Sequence, residues 1–202
     1  MENDITSKTV SPSEKILSAV YEFIEMLGCI AVVIMLLFAF IARLNVVEGQ
    51  SMEPTLKQGE YLVVSDLFYK PTAGDIVVVH DIDAISGYES YTRPIVKRIV
   101  ATEGQTVDID FDTWTLYVDG VEVEESYRYI DKNSPTIVCQ YQLPITLEKG
   151  QVFVMGDNRN HSGDSRTLAI GPVDERNIVG KAVVRVFPFN RFTFFSNPRE
   201  VK

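Results

Sequence analysis

Cysteine and histidine are scarce in this chain, and basic residues are outnumbered. Its 202 residues include two cysteines, Cys29 and Cys139, and two histidines, His80 and His161. Cys29 lies in an apolar run and Cys139 far along the polar remainder, so no disulfide framework is expected. No Cys/His cluster has metal-ligand spacing, and neither a metal nor a cofactor is expected. Lys and Arg total 19 against 28 Asp and Glu, a net charge of −9. Phosphate binding needs clustered basic residues, so nucleic acid is excluded as a partner. Internal repeats and low-complexity linkers are also missing. The length suits one good-sized domain, or a domain with a small insertion and an anchor.

One long hydrophobic run is present. Met26 to Ala42 reads MLGCIAVVIMLLFAFIA, without charge or proline. With its flanks it approaches the ~20 residues that span a hydrocarbon core. A buried core helix is the alternative. A cleaved signal peptide fits poorly: the start of the chain is acidic, the run begins late, and Phe40-Ile41-Ala42 has no small-x-small cleavage pattern. A retained transmembrane signal anchor is expected over 23–43, after a cytoplasmic segment 1–22. Lys8 and Lys15 precede the run and Arg43 follows it, a weak bias under the positive-inside rule. A single N-terminal anchor usually exports a long remainder. The expected arrangement is N-terminus cytoplasmic and C-terminal domain extracytoplasmic, at the plasma membrane.

Beyond the run the pattern changes to short, β-branched stretches. Leu62-Val63-Val64, Ile76 to Val79, Ile95 to Val100, Val107-Asp108-Ile109, Thr115 to Val118, Val152 to Met155 and Ala182 to Phe187 have strand length. Gly59, Gly74, Gly104, Gly150 and Gly171 separate them. Asp119-Gly120 between Val118 and Val121 is a tight hairpin signal. The fold class expected is mainly β, an antiparallel-sheet catalytic domain over 44–110 and 148–195. A β-rich insertion is expected over 111–147, and a tail over 196–202. The aromatic cluster from Phe187 to Phe195 is either a closing strand or a face resting on lipid.

Three segments carry candidate chemistry. Ser51, in Gly49-Gln50-Ser51-Met52-Glu53-Pro54, is a turn or helix N-cap on its own; Pro54 favours a helix start. A serine there lies beside free backbone N–H groups, the donors an oxyanion hole needs. In Ile95-Val96-Lys97-Arg98-Ile99-Val100, strand alternation places Lys97 and Arg98 on opposite faces. Whichever face is buried, one basic side chain enters apolar surroundings. Arg keeps its proton there and needs an acidic partner. Lys can lose it and serve as a general base, or else snorkel at a sheet edge. Gly156 to Arg166 offers Asp157, Arg159, Ser162, Asp164, Ser165 and Arg166 in one loop. That loop is either a solvated turn or a brace, with a serine orienting the lysine and Asp–Arg pairs locking against Arg98.

Gly49 to Leu56, Pro71 to Val78, Val96 to Gly104 and Gly156 to Arg166, in this order behind an anchor, resemble the boxes of bacterial type I signal peptidases. These are membrane-anchored serine endopeptidases that remove signal peptides from exported preproteins, and glycine at position 49 resembles their Gram-positive branch. The resemblance implies Ser51 as nucleophile, Lys97 as general base, and an acyl-enzyme. It implies that Ser162 orients the Lys97 amine, with Asp164, Arg166, Asp157 and Arg98 supporting. The Ser51 N–H is the implied first oxyanion donor; Gly49 stands where some members have a serine supplying the second. Cleavage after small residues at P1 and P3 is implied, with Val47, Met52, Leu56 and Val96 lining shallow apolar pockets. His161 is treated as a surface variant. The implied partners are membrane-tethered preproteins and the lipid bilayer, and a monomer is expected. The competing readings are a self-cleaving Ser–Lys repressor-like protease, for which the first 45 residues offer no DNA-binding segment, and a non-catalytic anchored β-domain.

Overall fold

The computed structural model describes residues 12–40, 42–80, 94–136, 138–140 and 142–199. Residues 1–11 of the expected cytoplasmic segment, Ile41 of the anchor, 137 and 141 of the insertion, and 200–202 of the tail lie outside these ranges. The chain divides after Ile41 into two units.

The first unit is helix α1, Pro12–Phe40. Proline suits a first helical position, where its missing N–H is not needed. Within α1, Lys15–Leu36 has a mean hydropathy of 2.1 and is long and apolar enough to cross a membrane. Its apolar side chains, among them Ile24, Val33 and Met35, are exposed all round. A helix apolar on every side suits lipid or a protein core. Two boundaries differ from expectation. The span begins well before residue 23, because its early apolar residues are interleaved with Glu22 and Glu25 and escape a search for an uncharged run. Arg43, assigned to the anchor from sequence, is the first residue of β1.

The second unit is built from twelve strands among the described residues. They are β1 (Arg43–Val46), β2 (Tyr61–Ser65), β3 (Ile76–Val79), β4 (Ile95–Ala101), β5 (Thr106–Asp110) and β6 (Thr115–Val118), followed by β7 (Val121–Glu122), β8 (Ile145–Thr146), β9 (Gln151–Met155), β10 (Val173–Asp174), β11 (Ile178–Phe187) and β12 (Thr193–Phe194). The larger sheet has the order β1-β2-β11-β3-β4-β9-β10, with β12 also on β11; the smaller has the order β7-β6-β5-β8. All pairings between these strands are antiparallel. The smaller sheet therefore starts at Thr106, ahead of the Phe111 boundary expected for the insertion. Val107 and Ile109 alternate as any half-buried strand does, and alternation does not say which sheet a strand joins. At the β6–β7 hairpin, Asp119 (φ 55°) and Gly120 (φ 75°) both take the positive angles that the turn requires.

Continuous apolar runs become strands covered on both faces. Ile76 and Val78 pack with Val47, Met52, Leu56, Leu62, Val64, Val96 and Ala182. Val77 and Val79 enter a second cluster with Ile99, Val152, Val154, Ile170 and Val173. A third cluster joins Val100, Ala101, Phe153 and Met155 to Val107, Ile109, Leu116 and Val118 of the smaller sheet and to Leu147 just after β8. Strand β4 contributes to all three, so its side chains are buried on both faces.

Strand β11 bonds to β2 on one side and β3 on the other, with a register irregularity between Ile178 and Gly180. A Cβ at Gly180 would lie 2.7 Å from the Ser65 carbonyl oxygen, so only glycine lets the two backbones meet there. Gly180→Ala is expected to cost about 1–3 kcal/mol, read as a lower unfolding midpoint in denaturant.

Candidate active site

Chain geometry holds Ser51 between the end of β1 and the start of β2. Val47 N–H donates to the Glu60 carbonyl (2.8 Å) and Gly59 N–H to the Val47 carbonyl (2.9 Å), closing the loop at its base. Met52 and Leu56, 1% and 0% exposed, pin the loop to the first apolar cluster. The Ser51 carbonyl accepts from Asn158 N–H at 3.0 Å. Ser51 N–H donates to no group among the described residues.

The expected helix start is not formed. Residues 51–55 are successive turns, held by Glu53 N–H to the Gln50 carbonyl (3.1 Å) and Leu56 N–H to the Met52 carbonyl (2.8 Å). Pro54 explains the difference, because the residue before a proline is disfavoured in the helical region and Glu53 occupies that place.

Lys97 comes from β4, which is paired with β3 on one edge and β9 on the other. Both faces of the strand are covered, so Lys97 and Arg98 are both buried rather than one of them, at 4% exposure each. The Lys97 Nζ donates to Ser51 Oγ at 2.7 Å and to the Val96 carbonyl at 3.1 Å. Burial, with a smaller push from the Arg166 guanidinium, lowers its pKa to about 8 against the opposing fields of Asp164 and Asp157. An amine with that pKa is partly neutral near physiological pH and can accept a proton.

Loop 156–166 surrounds this pair. Asp157 takes Arg98 in a fork, Nε to Oδ1 at 2.8 Å and Nη2 to Oδ2 at 2.7 Å, and also accepts from Thr55 Oγ at 2.5 Å. The Arg98 guanidinium also stacks on the Tyr127 ring, 3.9 Å from its centroid. Asp164 forks Arg166 at 2.8 Å on both arms and accepts Gly156 N–H at 3.0 Å. Burial pushes the Asp164 carboxyl up, but Arg166 more than offsets it and holds the group below the usual range. A third pair, Arg159 with Glu125, is just as buried, at 2.6 Å.

Gly156 is a point of close approach within this loop. A Cβ there would lie 2.2 Å from Ser162 Oγ and 2.4 Å from the Ser51 carbonyl oxygen. The two therefore sit side by side against bare backbone. The buried Ser162 hydroxyl does not make the bond expected from it to the Lys97 amine; it acts instead on the Asp164 carboxylate, which it helps to hold below the usual range. Ser51 Oγ and the Val96 carbonyl take the amine's hydrogens instead.

Residues 20–187 match the family described as "Signal peptidase, peptidase S26". The chain belongs to this family. A Synechocystis sp. protein named "Probable signal peptidase I-1" is 38% identical over 177 residues, covering 85% of this chain and 84% of the relative. Signal peptidase IB of Staphylococcus aureus strain MRSA252 is 35% identical over 199 residues, covering 90% and 98%. A signal peptidase I from Enterococcus faecalis V583, known by crystal structure, is 29% identical and covers 56% of this chain and 97% of its own, at a TM-score of 0.43. The protein is accordingly a serine endopeptidase of the signal peptidase family, and its apolar helix is consistent with a membrane anchor.

Of the signal peptidase residues expected from sequence, half-buried Ser51 and buried Lys97, Arg98, Asp157, Asp164 and Arg166 meet in one constellation. Val47, Met52, Leu56 and Val96 also come together, but as buried core, with Val96 the most exposed at 9%. Gly49 is exposed with φ at 78°, and His161 is exposed. Sequence reasoning passed over Glu125, Tyr127 and Asn158. A count of charges was the available signal: Arg98, Arg159 and Arg166 face only two aspartates in the loop, so a third carboxylate has to come from elsewhere.

Removing one member of a buried pair strands the other. Asp157→Asn leaves Arg98 uncompensated, and a loss of about 3–5 kcal/mol is expected, measured by equilibrium unfolding.

Proposed function

We propose that the protein removes N-terminal signal peptides from exported preproteins through a Ser51–Lys97 dyad. The observation that carries this reading is the 2.7 Å contact between Lys97 Nζ and Ser51 Oγ inside a buried site. Neutral Lys97 takes the Ser51 proton as Oγ attacks the scissile carbonyl carbon. The developing oxyanion receives the Ser51 N–H, which donates to no group among the described residues. Collapse of the tetrahedral intermediate breaks the C–N bond; the leaving amine takes the proton from the Lys97 ammonium, and the acyl group stays on Ser51 Oγ. Lys97 then accepts a proton from water as that water attacks the ester. As the ester C–O bond breaks, the Lys97 ammonium returns that proton to Ser51 Oγ, which restores the dyad and frees the signal peptide.

Ser162, Asp164, Arg166, Asp157 and Arg98 are assigned to holding this arrangement, and Gly49 remains the candidate region for a second oxyanion donor. Val47, Met52, Leu56 and Val96 are assigned to shaping the floor against which small P1 and P3 side chains fit, supported by their close packing beside the dyad. The protein acts as a monomer with α1 across the plasma membrane, the N-terminus cytoplasmic and the catalytic unit outside, where membrane-tethered preproteins present their cleavage sites.

Ser51→Ala and Lys97→Met are each expected to abolish processing of a preprotein in membrane vesicles; unaltered processing by either would refute the dyad. The rate at limiting substrate is expected to rise with pH through an inflection at about 8, as Lys97 loses its proton. Stability follows the same group. The folded protein disfavours the ammonium, so the penalty is full below about pH 8 and fades as pH rises towards the ordinary lysine value of 10.5. Lys97→Met is therefore expected to match or exceed the parent in melting temperature at pH 7, so its inactivity is not unfolding.

A further inference from the structure

The chain from Glu125 to Thr136 belongs to none of the motifs that point to catalysis, yet it runs along loop 156–166 for most of its length. Tyr129 N–H donates to the Asp157 carbonyl (2.8 Å), and Arg159 N–H donates to the Tyr129 carbonyl (2.9 Å). Asn160 accepts Asp131 N–H at 2.7 Å and donates to the Asp131 carbonyl at 3.0 Å and to Thr136 Oγ at 2.6 Å. At the head of this strap Glu125 receives both arms of Arg159, Nη1 at 3.0 Å and Nη2 at 2.6 Å, with both side chains 2% exposed.

The third guanidinium nitrogen is the informative one. Arg159 Nε donates to the Gly156 carbonyl at 3.0 Å. Gly156 is the residue whose bare Cα touches the Ser51 carbonyl and the Ser162 hydroxyl, where even a methyl group has no room. A carboxylate fork fixes the plane of a guanidinium, so Glu125 sets the direction in which Nε points. That direction locates Gly156, and Gly156 limits where the Ser51 backbone can settle. The other two arginines draw their carboxylates from Asp157 and Asp164 within the loop. Arg159 alone takes its partner from outside it.

We infer that Glu125 is a positioning residue for the reaction, acting through Arg159 and Gly156 on the placement of Ser51. The inference rests on the Ser51–Lys97 reading above. It makes the segment that connects β7 to β8 of the smaller sheet a working part of the active site rather than a surface addition. A reacting atom misplaced by about an ångström loses on the order of a hundredfold in rate, so the effect belongs in kcat.

The test uses the full chain in detergent micelles with a preprotein substrate, reading kcat, KM and melting temperature for each variant. Arg159→Lys keeps a charge for Glu125 but removes the fork and the Nε donor. It is expected to lower kcat about 10- to 100-fold with KM unchanged and most of the melting temperature kept. Glu125→Gln is expected to lower kcat similarly and to lower the melting temperature as well. The double variant Glu125→Leu with Arg159→Met replaces the pair by apolar side chains, which buried pairs often tolerate. It is expected to regain the melting temperature lost by Glu125→Gln while kcat stays low. Recovery of kcat together with melting temperature in the double variant, or full kcat in Arg159→Lys, would show that the pair is structural only. Ser51→Ala separates the two claims. An active Ser51→Ala overturns the dyad, whereas an inactive Ser51→Ala beside a fully active Arg159→Lys overturns only the role of Glu125.

Discussion

A lysine buried at 4% exposure beside two aspartates would ordinarily stay charged, because either carboxylate could pair with it. Here neither is available. Asp157 is forked by Arg98 and Asp164 by Arg166, each through two short hydrogen bonds. Arginine keeps its proton in any protein environment and its planar fork matches a carboxylate better than an ammonium does, so the aspartates are committed. The lysine is left with a hydroxyl and a carbonyl as its partners. Burial then dominates, and its pKa falls to about 8. The arginines thus do more than stiffen the loop: they deprive Lys97 of a counter-ion.

This constraint organises the fold around it. Three ion pairs can be buried together only if their remaining hydrogen-bonding atoms are met, and the backbone nearby is arranged to meet them. Arg98 Nη1 finds the Gly74 carbonyl, Asp164 Oδ2 finds Gly156 N–H, and Arg159 Nε finds the Gly156 carbonyl. Two of these contacts involve Gly156, whose missing side chain allows the loop to close on Ser51. The price is paid in loop conformation and charge burial, while the sheets on either side supply the apolar clusters that hold the loop in place.

Much of this was legible in the sequence. Ile76 to Val79 reads as a strand and is one, covered on both faces. Lys97 and Arg98, adjacent in a β-branched run, carry the signal of a buried base beside a buried ion-pair partner. What escaped was set by contacts distant in the chain. The short strands β1, β8, β10 and β12 have no periodicity of their own and exist because a longer neighbour offers hydrogen bonds. The turns at Ser51 could have been read from Glu53-Pro54, since a residue before proline resists the helix that Ser51 otherwise invites. That Ser162 does not bond the Lys97 amine was beyond the sequence, because hydrogen-bond geometry at Lys97 depends on where the Val96 carbonyl and Ser51 Oγ fall.

The charge count is the part of the pattern with reach beyond this loop. When a catalytic lysine must lose its proton, every nearby carboxylate needs an arginine, and every buried arginine needs a carboxylate. A loop with Arg159 and Arg166 beside a strand with Arg98 therefore demands three acids. Asp157 and Asp164 supply two; the third, Glu125, lies about thirty residues upstream, on a segment that the strand pattern marks as an insertion. That segment cannot drift freely from the site while Arg159 stays buried, because an unpaired guanidinium in that position costs several kcal/mol. Charge balance around one neutral amine is thus what ties the smaller sheet's connecting chain to the chemistry of the larger.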